Sequence, residues 1–260
     1  MILKKTLWGL NYKYMDLHID QNKLANLLGD INCDLVFKEE TLSTNEDLKQ
    51  MKIGQRAMCE VALSQTKGKG SNGRSFISTK GSGIYFSILL KDNNYKYLTP
   101  NVSVAIYKSF QKLYNIELSI KWVNDLYCGN KKVCGILCEK NFVDNSVVIG
   151  IGINLFKIED NILKENNLEN IAGYIFEKED EEKIDFEFLI YEIIKNVLSN
   201  INKNEIDEVY KNKNLVLNKE VFYKSKKYIA KSINNEGHLI IESNGETVEI
   251  ASKNDIEIVI

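Results

Sequence analysis

Gln65-Thr66-Lys67-Gly68-Lys69-Gly70-Ser71-Asn72-Gly73-Arg74 decides how this chain is read, because three glycines and three cations occupy a loop directly after the strand-like run 57–64, AMCEVALS. Glycine lets backbone approach an anion closely and adopt φ > 0, exposed N–H groups donate, and Lys or Arg neutralises charge, so such a loop suits phosphate. Its core, GKGSNG, satisfies G-x-G-x-x-G, but a dinucleotide fingerprint opens a helix and is followed by an acidic residue about 20 positions on. Here the chain continues through Ser75–Thr79 into Gly83-Ile84-Tyr85-Phe86-Ser87-Ile88-Leu89-Leu90, an aromatic and β-branched run that reads as a strand. The loop therefore joins strand to strand. No Gly-Lys pair is followed by Ser or Thr, and neither H-R-D nor D-F-G occurs, so P-loop and protein-kinase chemistry are set aside.

Working outward, 260 residues with 44% hydrophobic and 27% charged content suit one large domain plus a small one. A formal charge of −2 disfavours a dedicated nucleic-acid binder. Five cysteines (Cys33, Cys59, Cys128, Cys134, Cys138) are odd in number and form no C-x-x-C, which points to free thiols in a reducing cytoplasm. A zinc site from Cys128, Cys134 and Cys138 is weighed and set below simple burial, the usual fate of such thiols. The N-terminal MILKKTLWGLNYKYMD lacks a signal-type apolar core, and no stretch reaches the ~18 apolar residues of a membrane span, so a cytoplasmic protein is expected.

Leu24, Leu27 and Leu28 predict a short helix before Gly29, and Leu35-Val36-Phe37 a strand. Ser43-Thr44-Asn45 precedes a short helix expected over Glu46 to Met51, capped by a Ser or Thr hydroxyl, with Asp47 in its first turn. Thr99 and Pro100, the only proline, predict an N-cap and first turn for a helix over 100–114. Strand-like runs follow at 118–122, 133–140 and 147–154, with short links that favour hairpins, then an amphipathic helix over 185–202. From about 215 the texture changes to short alternating strands punctuated by Asn234-Asn235-Glu236-Gly237 and the hairpin-type Asn244-Gly245, which suggests a separate small β-barrel. Lys112, Glu117 and the run Glu177–Lys183 read as solvated surface, and His18 and His238 lie outside every motif.

Four segments together resemble the biotin protein ligase family. Ser43-Thr44-Asn45 corresponds to its early Ser/Thr-Thr-Asn element, and Gln65 through Ser78 to Q-x-x-G-R-G-R-x-G-R-x-W-x-S. Lys121-Trp122-Val123-Asn124-Asp125 with Lys132-Val133-Cys134-Gly135-Ile136-Leu137-Cys138-Glu139 corresponds to K-W-P-N-D and K-x-x-G-I-L-x-E, and Gly150 through Asn154 to G-x-G-x-N. The resemblance runs from about residue 36 to the C-terminus. It implies an α+β fold: a mixed, mainly antiparallel sheet flanked by helices, class II aminoacyl-tRNA synthetase-like, over residues 1–212, with 1–34 as a short N-terminal extension. A small SH3-like β-barrel over 213–260 is implied as well. An appended helix-turn-helix repressor module is not expected, since it would need some 60 residues ahead of Leu35.

The implied activity is ligation of biotin to protein. Biotin attacks the α-phosphate of ATP, with Mg²⁺, to give biotinyl-AMP and pyrophosphate, and a lysine of a biotin carboxyl carrier domain then displaces AMP. Charge that builds on phosphoryl oxygens calls for preorganised cations. By resemblance Lys132 holds the biotin carboxylate and α-phosphate, Lys69 and Arg74 hold phosphates, Asn124 and Asn154 contact ATP and metal, and Phe76 stands where a Trp stacks on adenine. Ser43, Thr44 and Gln65 would bind the ureido ring, Asn45, Gly68, Gly70 and Ser71 complete the biotin side, and Gly135 and Gly152 pack the ring. Asp125 would orient or deprotonate the incoming lysine, whose neutralisation at pH 7 costs about 4.6 kcal/mol. No nucleic acid or membrane is implied as partner, and homodimerisation through sheet edges stays open.

Plainer readings stand beside these. Ser43-Thr44 alone is a helix cap, Asp125 a turn residue, Lys121 and Lys132 solvated strand ends, and Gly150 and Gly152 close-packing glycines. The chain also departs from the family pattern. Lys69 replaces an arginine and loses its bidentate fork, Ser71 replaces another and loses charge, and Val123 and Thr79 replace prolines. A lipoate or octanoate ligase of the same fold and a non-catalytic biotin-binding protein are the alternatives.

Overall fold

The computed structural model describes residues 17–258. The first half of the expected N-terminal extension and the last two residues of the final strand run lie outside that range. The elements are α1 (Gln21–Gly29), β1 (Cys33–Thr41), α2 (Thr44–Lys49), β2 (Ala57–Gln65), β3 (Gly83–Lys91), α3 (Leu98–Tyr114), β4 (Ser119–Lys121), β5 (Asp125–Cys128), β6 (Lys131–Asn141) and β7 (Ser146–Asn154). After them come α4 (Asp160–Glu165), α5 (Phe186–Asn200), α6 (Glu208–Asn212), β8 (Glu220–Tyr223), β9 (Lys226–Ile233), β10 (Leu239–Ser243), β11 (Glu246–Ile250) and β12 (Ile256–Ile258).

A seven-stranded sheet in the order β1-β2-β3-β7-β6-β5-β4 forms the frame. Only β1 and β2, joined through α2, run parallel; every other neighbour is antiparallel. Period-2 alternation sorts its side chains. Ile84, Phe86 and Ile88 of β3 and Val147, Ile149, Ile151 and Ile153 of β7 enter one large core with Val102, Ile106 and Phe110 of α3 and Leu189, Ile190 and Ile193 of α5. Each fully buried aliphatic or aromatic side chain there contributes about 1.5–3 kcal/mol. The opposite face carries a small cluster of Leu48, Leu89 and Val148 under α2, and beside it the residues of the candidate site.

Local boundaries differ from expectation in instructive ways. α3 starts at Leu98 after Tyr97, so Thr99 lies inside the first turn rather than capping it. Pro100 fits there because first-turn N–H groups have no intrahelical acceptor. α2 begins at Thr44, and Ser43, its N-cap by backbone, makes no capping bond with its side chain. β5 was not foreseen, and it places Asp125 at the head of a strand instead of on a turn. Glu181, in the run read as solvated, is buried and paired with Lys178 at 3.0 Å. Lys112 reaches the buried Glu192 at 2.6 Å.

β8 to β12 form a five-stranded antiparallel sheet in the order β11-β10-β9-β8-β12. The Asn244-Gly245 turn has φ of 49° and 81°, the positive pair that a two-residue hairpin requires. Among the described residues no ladder joins β11 to β12, so this sheet is open where a closed barrel was expected. It is docked on the larger sheet: the Trp122 Nε1–H donates to the Gly237 carbonyl at 2.9 Å, and the Trp122 N–H to Asn214 Oδ1 at 3.2 Å. No described helix is long and apolar enough to cross a membrane.

Candidate functional site

Register explains why the site has a bare floor. Lys121 pairs with Asp125, Asp125 with Gly135, Gly135 with Gly152, and Gly152 with Tyr85, so one row across five strands carries two glycines near its centre and charge at one end. The neighbouring row pairs Leu137 with Gly150 and Gly150 with Ser87. A cavity of about 390 Å³ stands above this floor. A Cβ on Gly152 would come within 2.4 Å of the Phe76 ring and one on Gly135 within 3.0 Å. Glycine is therefore required at Gly152 by close approach. The ring packed on that floor is Phe76's own, at the position where biotin's ring was expected to pack.

One end of the cavity is a hydrogen-bonded chain of uncharged side chains that runs out to Glu139. The Thr44 N–H donates to Gln65 Oε1 at 3.0 Å, Thr44 Oγ1 lies 2.6 Å from Ser87 Oγ, and Ser87 Oγ donates to Asn45 Oδ1 at 2.5 Å. Asn45 Nδ2 donates to Glu139 Oε2 at 2.8 Å, and Gln65 Nε2 to Ser78 Oγ at 2.9 Å. Buried polar groups satisfied in this way hold fixed orientations. The chain anchors the N-terminus of α2 to the sheet.

The other end is cationic around one carboxylate. Lys132 Nζ lies 2.7 Å from Asp125 Oδ1, and Lys253 Nζ donates to Asp125 Oδ2 at 2.8 Å. Burial pushes the Asp125 carboxyl up, but the charges and hydrogen bonds of the two lysines outweigh it and hold the group below the usual carboxylate range. Lys121 is shifted down, first by burial and then by the Lys253 charge, with Asp125 opposing. Arg74 Nε donates to the Ser71 carbonyl at 3.3 Å and its Nη2 to Ser71 Oγ at 3.4 Å. Lys69 Nζ pairs with Glu46 at 2.9 Å, and Glu46 also takes Lys49 at 2.7 Å, so the glycine loop is moored to α2.

Asn124 and Asn154 face the same space. Asn124 Nδ2 donates to the Ile136 carbonyl at 2.8 Å and Asn154 Nδ2 to the Gly173 carbonyl at 3.1 Å, which leaves both buried Oδ1 atoms without a partner. Oriented hard oxygens of this kind fit Mg²⁺, which dehydrates reluctantly and takes few protein ligands beside substrate phosphates. No group of three His, Cys, Asp or Glu side chains able to hold a metal exists among the described residues, and the Cys128–Cys134–Cys138 zinc site is not formed. Burial pushes the Cys138 thiol up to about 12.

Of the residues picked out in sequence, Ser43, Thr44, Asn45, Gln65, Lys69, Gly70, Ser71, Arg74, Phe76, Asn124, Asp125, Lys132, Gly135, Gly152 and Asn154 line this one cavity. Gly68 does not. It is buried behind the loop, where a Cβ would meet the Phe76 carbonyl at 2.3 Å, so it shapes the turn instead of contacting a ligand. Sequence reading missed Lys253, Tyr127 and the Asn170–Ala172 segment, all on the cavity wall. Only the strand register of β5 could have exposed Tyr127. Nothing in the local sequence marks Lys253, which arrives from the C-terminal sheet.

Residues 37–155 match the sequence profile of the Biotin/lipoate A/B protein ligase family. The bifunctional ligase/repressor BirA of Bacillus spizizenii is 34% identical over 141 residues, 52% of this chain and 42% of that one. BirA of Escherichia coli is 29% identical over 136 residues, 47% of this chain and 41% of that one. The chain thus spans about two-fifths of the length of these curated relatives. The biotin protein ligase of Aquifex aeolicus, solved in complex with biotin and ATP, superposes with a TM-score of 0.70 at 26% identity, covering 86% of this chain and 99% of that one. Over the strands that build its glycine floor and supply Asp125 and Lys132, this chain is therefore similar to the biotin/lipoate A/B protein ligase family.

Proposed function

We propose that this protein is an ATP-dependent biotin–protein ligase that forms biotinyl-5′-AMP with release of pyrophosphate and then acylates a lysine of a biotin carboxyl carrier domain. The observation that carries the reading is the Lys132–Asp125 pair at 2.7 Å, set at the cationic end of a glycine-floored cavity whose other end is neutral and polar. Lys132 would draw the acid's carboxylate toward the α-phosphate and stabilise the charge that develops there. Lys69 would leave Glu46 and, with Arg74, close on the phosphates. Mg²⁺, held through Asn124 and Asn154, would supply neutralisation of the phosphate charge. Phe76 would shift from the glycine floor to admit the acid and then cover the adenine.

Asp125 suits orientation better than deprotonation. A carboxyl held below its usual range is a weak proton acceptor, whereas its charge can align an approaching ammonium against the acyl carbon. The same division supports biotin over lipoate or octanoate, because Thr44 and Gln65, now bonded to each other, carry paired donors and acceptors that a ureido ring can exchange into and that an aliphatic or dithiolane end cannot use. On this reading the chain divides into a catalytic domain, class II synthetase-like, through residue 212 and a small SH3-like domain over 213–260, and it works in the cytoplasm.

Biotin-dependent ATP–pyrophosphate exchange, run beside lipoate and octanoate, tests the proposal. Exchange with biotin alone is expected, and Lys132→Ala should abolish it. Folded protein with Mg²⁺ that shows no exchange with biotin would overturn the reading.

A further inference from the structure

The short turn Lys253–Asp255 belongs to the C-terminal sheet, yet it completes the pocket of the larger one. Its Lys253 side chain is only 18% exposed and its Nζ sits 2.8 Å from Asp125 Oδ2, while Lys132 holds the other oxygen of the same carboxylate. The next residue, Asn254, bonds Asn72 of the glycine loop, so the turn reaches both the loop and the carboxylate. An acceptor lysine has to bring its Nζ to the carboxylate that Lys253 already occupies, within one carboxylate's width of the cation assigned to the reacting acid.

We propose that Lys253 is an internal acceptor, and therefore an acylation site of this protein, that takes the acyl group from the acyl adenylate when no carrier domain is present. The inference rests on the ligase reading above. In the step, Lys253 gives up one ammonium proton to solvent and its freed lone pair attacks the carbonyl carbon of the mixed anhydride. The C–N bond forms, the bond from that carbon to the phosphate oxygen breaks, and AMP leaves with the bonding pair. The new amide nitrogen sheds its remaining extra proton. Lys121 and Lys132 are less suited, since both lie in β-ladders that fix their backbones. Lys253 lies between β11 and β12 on a short turn outside any ladder, so its backbone is not held in a strand pairing. Acylation replaces its ammonium by a neutral amide and breaks the pair with Asp125, which leaves that carboxylate open to a carrier lysine.

The test incubates the full chain with biotin and Mg-ATP without carrier, maps acylated lysines by mass spectrometry of chymotryptic peptides, and follows pyrophosphate exchange in the same samples. Lys253 should carry at least tenfold more label than Lys121, Lys132 or any exposed lysine, at no more than one group per chain. The labelled fraction per minute should stay constant over a hundredfold dilution, as an intramolecular step requires, and added carrier domain should suppress it. Lys253→Arg should remove the label. Label spread over surface lysines, concentrated on Lys121 or Lys132, or absent while exchange proceeds, overturns the inference. If exchange itself is absent, the ligase reading has failed. Chemically prepared biotinyl adenylate then replaces biotin and ATP, and a lack of preferred labelling at Lys253 overturns the inference separately.

Discussion

Asp125→Asn separates the two chemical steps assigned to this pocket. The amide is isosteric, but it can accept from only one of the two ammoniums that now lie at 2.7 and 2.8 Å, and its NH₂ group confronts the other. The side chains of Asp125, Lys132 and Lys253 are 7%, 27% and 18% exposed, so water screens the resulting repulsion only in part. Losing one charge-assisted hydrogen bond, worth about 1.5–3 kcal/mol, and leaving the cations unneutralised should destabilise the protein by about 2–4 kcal/mol. For a chain of this size that lowers the melting temperature by roughly 5–15 °C. Orientation of the acceptor amine should suffer more: single-turnover transfer from preformed adenylate to a biotin carboxyl carrier domain is expected to fall about 100-fold or more, and by at least ~10-fold more than pyrophosphate exchange. A pH profile supplies the sign. Asp125's folded-state pKa is depressed, so its stabilising contribution is present above the unfolded carboxylate value and is lost only as pH falls through the lower folded value. Transfer should then rise with amine deprotonation between about pH 6 and 9 with no inflection from Asp125. A variant that melts lower yet transfers at the wild-type single-turnover rate would refute the reasoning and leave Asp125 as a structural clamp.

Three further outcomes follow from the same geometry. Gly150→Ala would place a Cβ 2.2 Å from Asn45 Oδ1 and break the Asn45–Ser87 contact, so biotin affinity by calorimetry should weaken about 10- to 100-fold, matching an overpacking cost of about 1–3 kcal/mol plus the lost bond. Ser71→Arg should slow release of labelled adenylate in the absence of acceptor, because the loop gains a second fork able to grip phosphate; unchanged release would mean that Ser71 is neutral for retention. Glu60, fully buried with no hydrogen bond to either oxygen, is pushed by burial, with Asp47 adding, up to about 7. A raised acid stabilises below the unfolded pKa and loses that contribution as pH rises through the folded value, so wild-type stability should drop by up to ~3 kcal/mol between about pH 5 and 8, and urea melts of Glu60→Gln should lack that slope.

Much of the fold is written locally. The glycine loop between two strand runs excluded a βαβ reading, and β2, β3, β6 and β7 follow from β-branched and aromatic runs bounded by glycine and asparagine. β5 escaped because Asp-Leu-Tyr-Cys is too short to alternate visibly, and its strand state comes from pairing with β6 through a register shift between Leu126 and Tyr127. The start of α3 at Leu98 also escaped, since Thr-Pro is an equally good signal for a cap and for a first turn.

The sequence by itself placed most of the cavity lining, because β5, β6 and β7 each contribute alternate positions of a motif to one face, but it did not place Tyr127, Asn170–Ala172 or Lys253 there and it wrongly added Gly68. Tertiary structure alone decided their partners. Asp125 lies at a strand head between two lysines, Lys69 is moored to Glu46, and Phe76 rests on the glycine floor. Lys132 reaches Asp125 from the adjacent strand, but Lys69 to Glu46 and Phe76 to Gly152 join residues far apart in the chain, and the most distant contact, Lys253 to Asp125, spans 128 positions from a different sheet. Hydrophobic period and turn chemistry report only what a few neighbouring residues do, so no local signal could reveal that the second sheet lends the pocket a cation.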